Sequence, residues 1–203
     1  MSYLKLLFLG VGLFVFCCNQ IKKDGESVSS TDTSGLTVDA EKEDLQKLMR
    51  QMYEWYETEG FGSDFSPVAD SVDYKYTGLD YAKHNERLSE LRQIDFFTEE
   101  FLGNYHKIAL TIDEKLKNNE IEWLVGDLPP FGNDANPWCN CQDNPDNYWE
   151  KITVDEVAFN KEIATFIWTW GDGFKYHIKA VKEHGIWKIQ YMEGFDYDEF
   201  LFN

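Results

Sequence analysis

The chain has 203 residues, enough for one domain with an appended segment, and sets 37 Asp and Glu against 19 Lys and Arg, a formal charge of -18. So acidic a surface repels phosphate backbones and anionic lipid head groups, which argues against nucleic acid as a partner and against membrane attachment through a basic patch. With 43% hydrophobic and 16% aromatic residues the chain is too rich in large apolar groups to stay disordered, so most of it must fold around a core.

In chain order, Lys5 is followed by an uninterrupted apolar run from Leu6 to Phe16 that ends at Cys17-Cys18. The run is too short for a helix across a hydrocarbon core of about 30 Å, and it stands where the apolar region of a secretory signal stands. A core helix would carry a polar face, and this run has none. Val15-Phe16-Cys17-Cys18, followed by polar Asn19-Gln20, resembles the lipoprotein box of bacterial envelope proteins, in which a Cys behind a small residue is lipidated and becomes the mature N-terminus. The resemblance implies a signal peptide over residues 1–17, lipidation of Cys18 with Cys17 as the small residue before it, and a bacterial outer-membrane address. The membrane is then a partner through acyl chains, each buried CH₂ contributing about 0.8 kcal/mol. Residues 18–40, rich in Ser, Thr, Asp and Gly without apolar periodicity, read as a flexible tether ahead of a single domain over 41–203. Asp24 and Glu26 resemble the acidic surface-export signals of Bacteroidetes-type lipoproteins.

From Glu41 the spacing predicts a helix: Leu45, Leu48, Met49, Met52, Trp55 and Tyr56 recur at three- and four-residue intervals until Gly60 and Gly62. A polar stretch with Pro67 and scattered aromatics follows, then a short helix over His84 to Gln93. Thr98 is a natural N-cap for the next helix, with Glu99 and Glu100 at its positive end and Phe101, Leu102, Tyr105, Ile108, Ala109, Ile112 and Leu116 on one face. After residue 150 the period changes. Lys151 to Asn160, Glu162 to Gly171, Phe174 to Glu183 and Ile186 to Glu193 are strand-length runs separated by turn signals, of which Gly171-Asp172-Gly173 and Glu183-His184-Gly185 suit tight hairpins. Helices first and strands afterwards predict an α+β domain with N-terminal helices packed on a curved antiparallel meander.

This order resembles the cone-shaped nuclear transport factor 2-like fold. More narrowly, residues 53 to 191 resemble a family of bacterial envelope proteins of unknown function, through Tyr53-x-Trp55-Tyr56, Phe96-Phe97-Thr98, Asp134-Ala-Asn136-Pro137-Trp-Cys-Asn-Cys-Gln142-Asp143 and Gly185-Ile-Trp187-Lys-Ile189. The chain departs from that pattern at Asn136, where the family carries a second acid. Such a resemblance implies a fold far better than an activity, because one fold hosts enzymes, binders and assembly modules.

Chemistry-bearing residues concentrate in the loop from Gly132 to Asp146. Asp134, Asn136, Asp143 and Asp146 are oxygen ligands of the type calcium takes, but their spacing is not that of an EF-hand, and Asx-turns, common for such residues in long loops, account for them better. Cys139 and Cys141 lack the further soft ligands zinc needs; they either close a small disulfide ring or pack in the loop as thiols. For an acid/base dyad inside a cone the candidates are His177 and Asp155, yet strand alternation turns His177 to solvent beside Lys175 and Lys179. No hydrolase elbow, phosphate loop or zinc-protease helix is present, and the residues call for no cofactor. Phe166, Trp168 and Trp170 alternate along one strand, Trp187 extends the stripe, and with Trp55 and Tyr56 they either fill the core or line a ligand pocket. The resulting expectation is a lipid-anchored, non-catalytic envelope module that binds a protein, peptide or small molecule. The alternatives are an envelope enzyme with a dyad inside the cone, or an inhibitor or immunity-type protein.

Overall fold

The computed structural model describes residues 33–60, 62 and 64–202; the expected signal peptide, Cys18 and the tether as far as residue 32 lie outside the described residues. Helix α1 (Thr33–Thr58) starts earlier than the apolar periodicity. Residues 37–40 are all exposed, so they form helix without contributing an apolar face that periodicity would register. Of the six positions the spacing predicts, Leu45, Leu48, Met49, Met52 and Tyr56 are buried, whereas Trp55 is half-buried and Tyr53, which the spacing does not select, is fully buried beside them. Just beyond the helix end at Thr58, Gly60 lies against the Trp55 ring, where an added Cβ would sit 2.6 Å from the indole.

The polar stretch after Gly62 folds into a hairpin that periodicity does not reveal, β1 (Pro67–Asp70) with β2 (Lys75–Leu79). Asp80 then caps α2 (Tyr81–Gln93), accepting from the backbone N–H of Ala82 and Lys83, so the helix begins three residues before His84. Thr98 caps α3 (Glu99–Lys117) as expected, its hydroxyl accepting from Phe101 N–H, and all seven predicted apolar positions are buried. Asn118 is the C-cap.

After a short helix α4 (Tyr148–Lys151), strands β3 (Thr153–Asn160), β4 (Ile163–Thr169), β5 (Tyr176–Glu183) and β6 (Ile186–Met192) form the expected meander, antiparallel in the order β3-β4-β5-β6. Positive φ at Gly171, Asp172 and Gly173, and at His184 and Gly185, turns two of the hairpins. Register rows Val154–Trp168–Tyr176, Phe166–Ile178–Met192 and Ala164–Ala180–Ile189 place the apolar residues in phase on one face. Against it pack α1, which touches β3 and β6, and α3, which touches β6. Phe96 to Thr98 line up beside β6 through Ile189 N–H donating to Phe96 O (2.8 Å) and Thr98 N–H donating to Ile189 O (3.0 Å). A last helix, α5 (Tyr197–Phe202), brings Phe200 against Phe65 and Phe131. The domain is α+β, and its core mixes aromatic rings with Leu, Ile and Met side chains. Among the described residues no helix is long and apolar enough to cross a membrane.

Candidate functional site

The loop that carried most sequence signals is held by α1 and by β5. Tyr53 on α1 donates its hydroxyl to the Trp138 carbonyl; Tyr176 on β5 donates to the Pro137 carbonyl (2.7 Å) and accepts from Gly194 N–H (2.8 Å). Burial raises both phenols well above their usual range, so both remain proton donors. Tyr56 is buried, stacks on Trp138 at 4.8 Å and meets the Asn136 amide at 3.1 Å. Within the loop, Asn136 Oδ1 accepts from Trp138 N–H (3.0 Å) as an Asx-turn, and a disulfide joins Cys139 to Cys141. Of the two cysteine alternatives, the closed ring is the one present. Asp134, Asp143 and Asp146 are exposed, and among the described residues no group of three or more His, Cys, Asp or Glu side chains converges on a metal position.

Trp138 leads to a buried polar cluster that sequence reasoning passed over. Its indole donates to Asp64 Oδ2 (2.6 Å), while Asp64 Oδ1 accepts from Tyr105 OH (2.6 Å) and from Arg87 Nε (3.1 Å). Arg87 also donates to Glu90 (2.8 Å), and its guanidinium lies 5.3 Å from the Trp55 ring and 5.6 Å from that of Trp138. Burial opposes the Arg87 charge, but Asp64 and Glu90 outweigh it and raise the pKa; burial and then the Asp64 charge raise Tyr105. Next to Arg87 on the inward face of α2, His84 is 2% exposed and shares one proton with His106 across 2.9 Å between ring nitrogens. Burial first and His106 second push its pKa down to about 4. The legible signal was in α2 itself: positions 84, 87 and 91 have the spacing of an inward stripe, yet two of the three are His and Arg. Asp113 on α3 is a buried acid outside this cluster. It accepts from Leu79 N–H (2.9 Å), Tyr81 OH (2.9 Å) and Lys117 Nζ (2.7 Å), which outweigh burial and lower its pKa.

The aromatic candidates fall in different places. Trp168 is fully buried in the sheet core, Trp170 is half-buried and stacked on Phe174 at 3.7 Å, and Trp55 is covered by Gly60 and Arg87. Trp187 does border open space. Its indole donates to Glu41 (2.7 Å), whose other oxygen takes Lys182 at 2.6 Å, so the ring is fixed against α1. The hydrogen bond from Lys182, with Trp187 in support, lowers the Glu41 pKa despite opposing burial. Beside it lies a groove of about 370 Å³ between α1, the segment before α3 and the β5–β6 turn. Leu48, Ile94, Phe96, Ile186 and Trp187 line it, with Asp44, Lys47, Gln51 and Asp95 at the rim. The suggested dyad does not assemble: His177 is solvent-facing and bonds Glu193 at 2.7 Å, while Asp155 is exposed and pairs with Lys42 at 3.4 Å.

A scan of protein-family models, a search of curated proteins and a search of solved structures each find no match to this chain.

Proposed function

We propose that this chain is a lipid-anchored bacterial envelope protein acting as a non-catalytic binding module, which takes an apolar group of a peptide or small molecule in the groove between α1 and β6. That groove carries the reading: apolar side chains make its floor, Ile186 stands 60% exposed at its lip, and no buried histidine or carboxylate faces into it. Among the described residues, the buried Asp113 and the mostly covered Asp64 are the acids an enzyme would use, and each accepts three hydrogen bonds from the protein itself, which favours a structural role for both. The cone-like fold belongs to the same proposal, supported by register shifts between Asp155 and Ala158 and between Lys179 and Ala180, since bulges bend strands. Lipidation of Cys18 rests on the N-terminal sequence pattern alone.

Two measurements test the two halves. The full chain is expected to gain acyl mass and to enter the detergent phase on partition, and Cys18→Ala to do neither; an unmodified chain in the aqueous phase rejects the anchor. The neutral fluorophore N-phenyl-1-naphthylamine, titrated into the Cys18→Ala chain, is expected to bind with an affinity that Ile186→Glu weakens about tenfold. Equal binding by both chains rejects the groove.

A further inference from the structure

Two segments concentrate apolar surface that stays exposed among the described residues. They are the β1–β2 hairpin and the turn at 124–128, joined by Val125 N–H donating to Tyr74 O (2.9 Å) and by the bridge between Lys75 and Leu124. Nine large apolar side chains are exposed among the described residues, and six of them, Val68, Val72, Tyr74, Leu124, Val125 and Leu128, belong to these two segments. Scatter over the surface is ordinary; concentration of this kind marks an interaction site. The most exposed are Val72 at 80%, Tyr74 at 72% and Leu128 at 70%.

The support beneath is firm. Asp70 accepts from the backbone N–H of Val72 (2.7 Å) and Asp73 (3.3 Å), which shapes the turn. Below it Tyr76 packs on Trp123 at 4.5 Å, and the Trp123 indole donates to the Asp127 carbonyl at 3.1 Å. An apolar surface held in this way is presented to solvent at the cost of its hydration, with no element of the described residues hiding it.

The charges around it choose the partner. Asp73, Glu120, Glu122 and Asp127 are exposed and Asp70 is half-buried, whereas Lys75, 4.0 Å from Asp73, is the lone cation within 68–75 and 120–128. Like charge opposes a second copy of the chain and anionic lipid at this face. We infer that the hairpin tip docks a cationic amphipathic segment of a partner protein, its apolar side chains on Val72, Tyr74 and Leu128 and its Lys or Arg side chains on the acidic rim. The surface shares no residue with the α1/β6 groove, so the loss of either reading leaves the other standing.

The test uses the full chain as the cell processes it, immobilised through a C-terminal tag, with synthetic peptides as probes. A peptide alternating leucine and lysine is expected to bind, and to do so about tenfold more weakly after Val72→Ser, Tyr74→Ser and Leu128→Ser together, or after Asp73→Asn, Glu122→Gln and Asp127→Asn together. Raising ionic strength from about 0.05 to 0.5 M is expected to weaken it by a similar factor. Peptides alternating serine and lysine, or leucine and glutamate, are expected to fail. Because the altered side chains are exposed, circular dichroism of both variants should match the parent. No binding by the leucine–lysine peptide, equal binding to parent and variants, or equal binding of the acidic peptide overturns the inference. So does binding of phosphatidylcholine vesicles or of the chain itself that the serine variant abolishes.

Discussion

At Gly194 one missing atom joins the end of the meander to the central loop. A Cβ there would lie 1.9 Å from the Pro137 carbonyl oxygen, the atom to which Tyr176 donates, so any side chain pushes the loop off the sheet. Gly194→Ala is expected to lose about 3 kcal/mol of unfolding free energy in urea titration, with an unchanged urea dependence. Asp113 acts at the same scale, since it satisfies a buried backbone N–H of β2 and lies where a Cβ on Gly78 would approach Oδ1 to 2.8 Å. Asp113→Ala leaves the Leu79 N–H without its acceptor, and the expected loss is about 2 kcal/mol. The Asp113 pKa is lowered in the fold, so its stabilisation is present above the ordinary carboxylate range and disappears as pH falls through it.

At the scale of an element, α2 is the unusual one, because it meets the core with His84 and Arg87 beside Leu91. Removing one member of a buried ion pair strands the other. Arg87→Met is therefore expected to cost about 3 kcal/mol, and adding Asp64→Asn should recover more than about 1 kcal/mol of it in a double-mutant cycle. His84 makes the same helix acid-sensitive. Its pKa falls from 6.5 to about 4 on folding, so between those values the unfolded chain binds more protons and stability drops as pH drops. The predicted loss from pH 7 to pH 5 is about 2 kcal/mol, and His84→Asn, which does not titrate, should remove that share of the pH dependence. The groups facing the ring are His106 and Tyr105 on α3 and Tyr81 at the start of α2, together with Asp64. Asp64 favours the charged form, but burial and His106 prevail.

For the whole molecule, the charge of -18 sets a global repulsion that a folded chain feels more strongly than an extended one. Thermal unfolding followed by circular dichroism should accordingly shift upward by a few degrees, roughly 3 °C, between low salt and about 0.5 M sodium chloride. A downward shift would mean that the ion pairs, such as Glu41–Lys182, matter more than the net charge. The Cys139–Cys141 disulfide bears less on global stability, because a ring closed over a sequence separation of 2 removes little chain entropy. Replacing both cysteines by serine is expected to cost about 1 to 2 kcal/mol in urea unfolding.

Periodicity and capping are local physics, and they were legible in the sequence. The α3 stripe, five of the six α1 positions, the Thr98 cap and four strands, two of whose hairpins turn on glycine, need only neighbours within a few residues to declare themselves, and the structure carries them. The solvent-facing side of β5 at His177 was equally readable, because alternation has period two. The β1–β2 hairpin escaped because its strands are short and bury only the end at Gly78 and Leu79, while Val68 and Tyr74 stay exposed, so no alternation is imprinted on the segment. Asp64, Arg87 and Trp138 escaped for another reason. Their meaning lies in contacts across 23 and 74 positions of chain, and nothing within either segment says that Arg87 Nε and the Trp138 indole converge on one carboxylate. Local composition determined the α+β class and the meander, whereas packing between distant segments decided which polar groups were buried, which aromatic ring borders a groove, and which apolar side chains stayed in water.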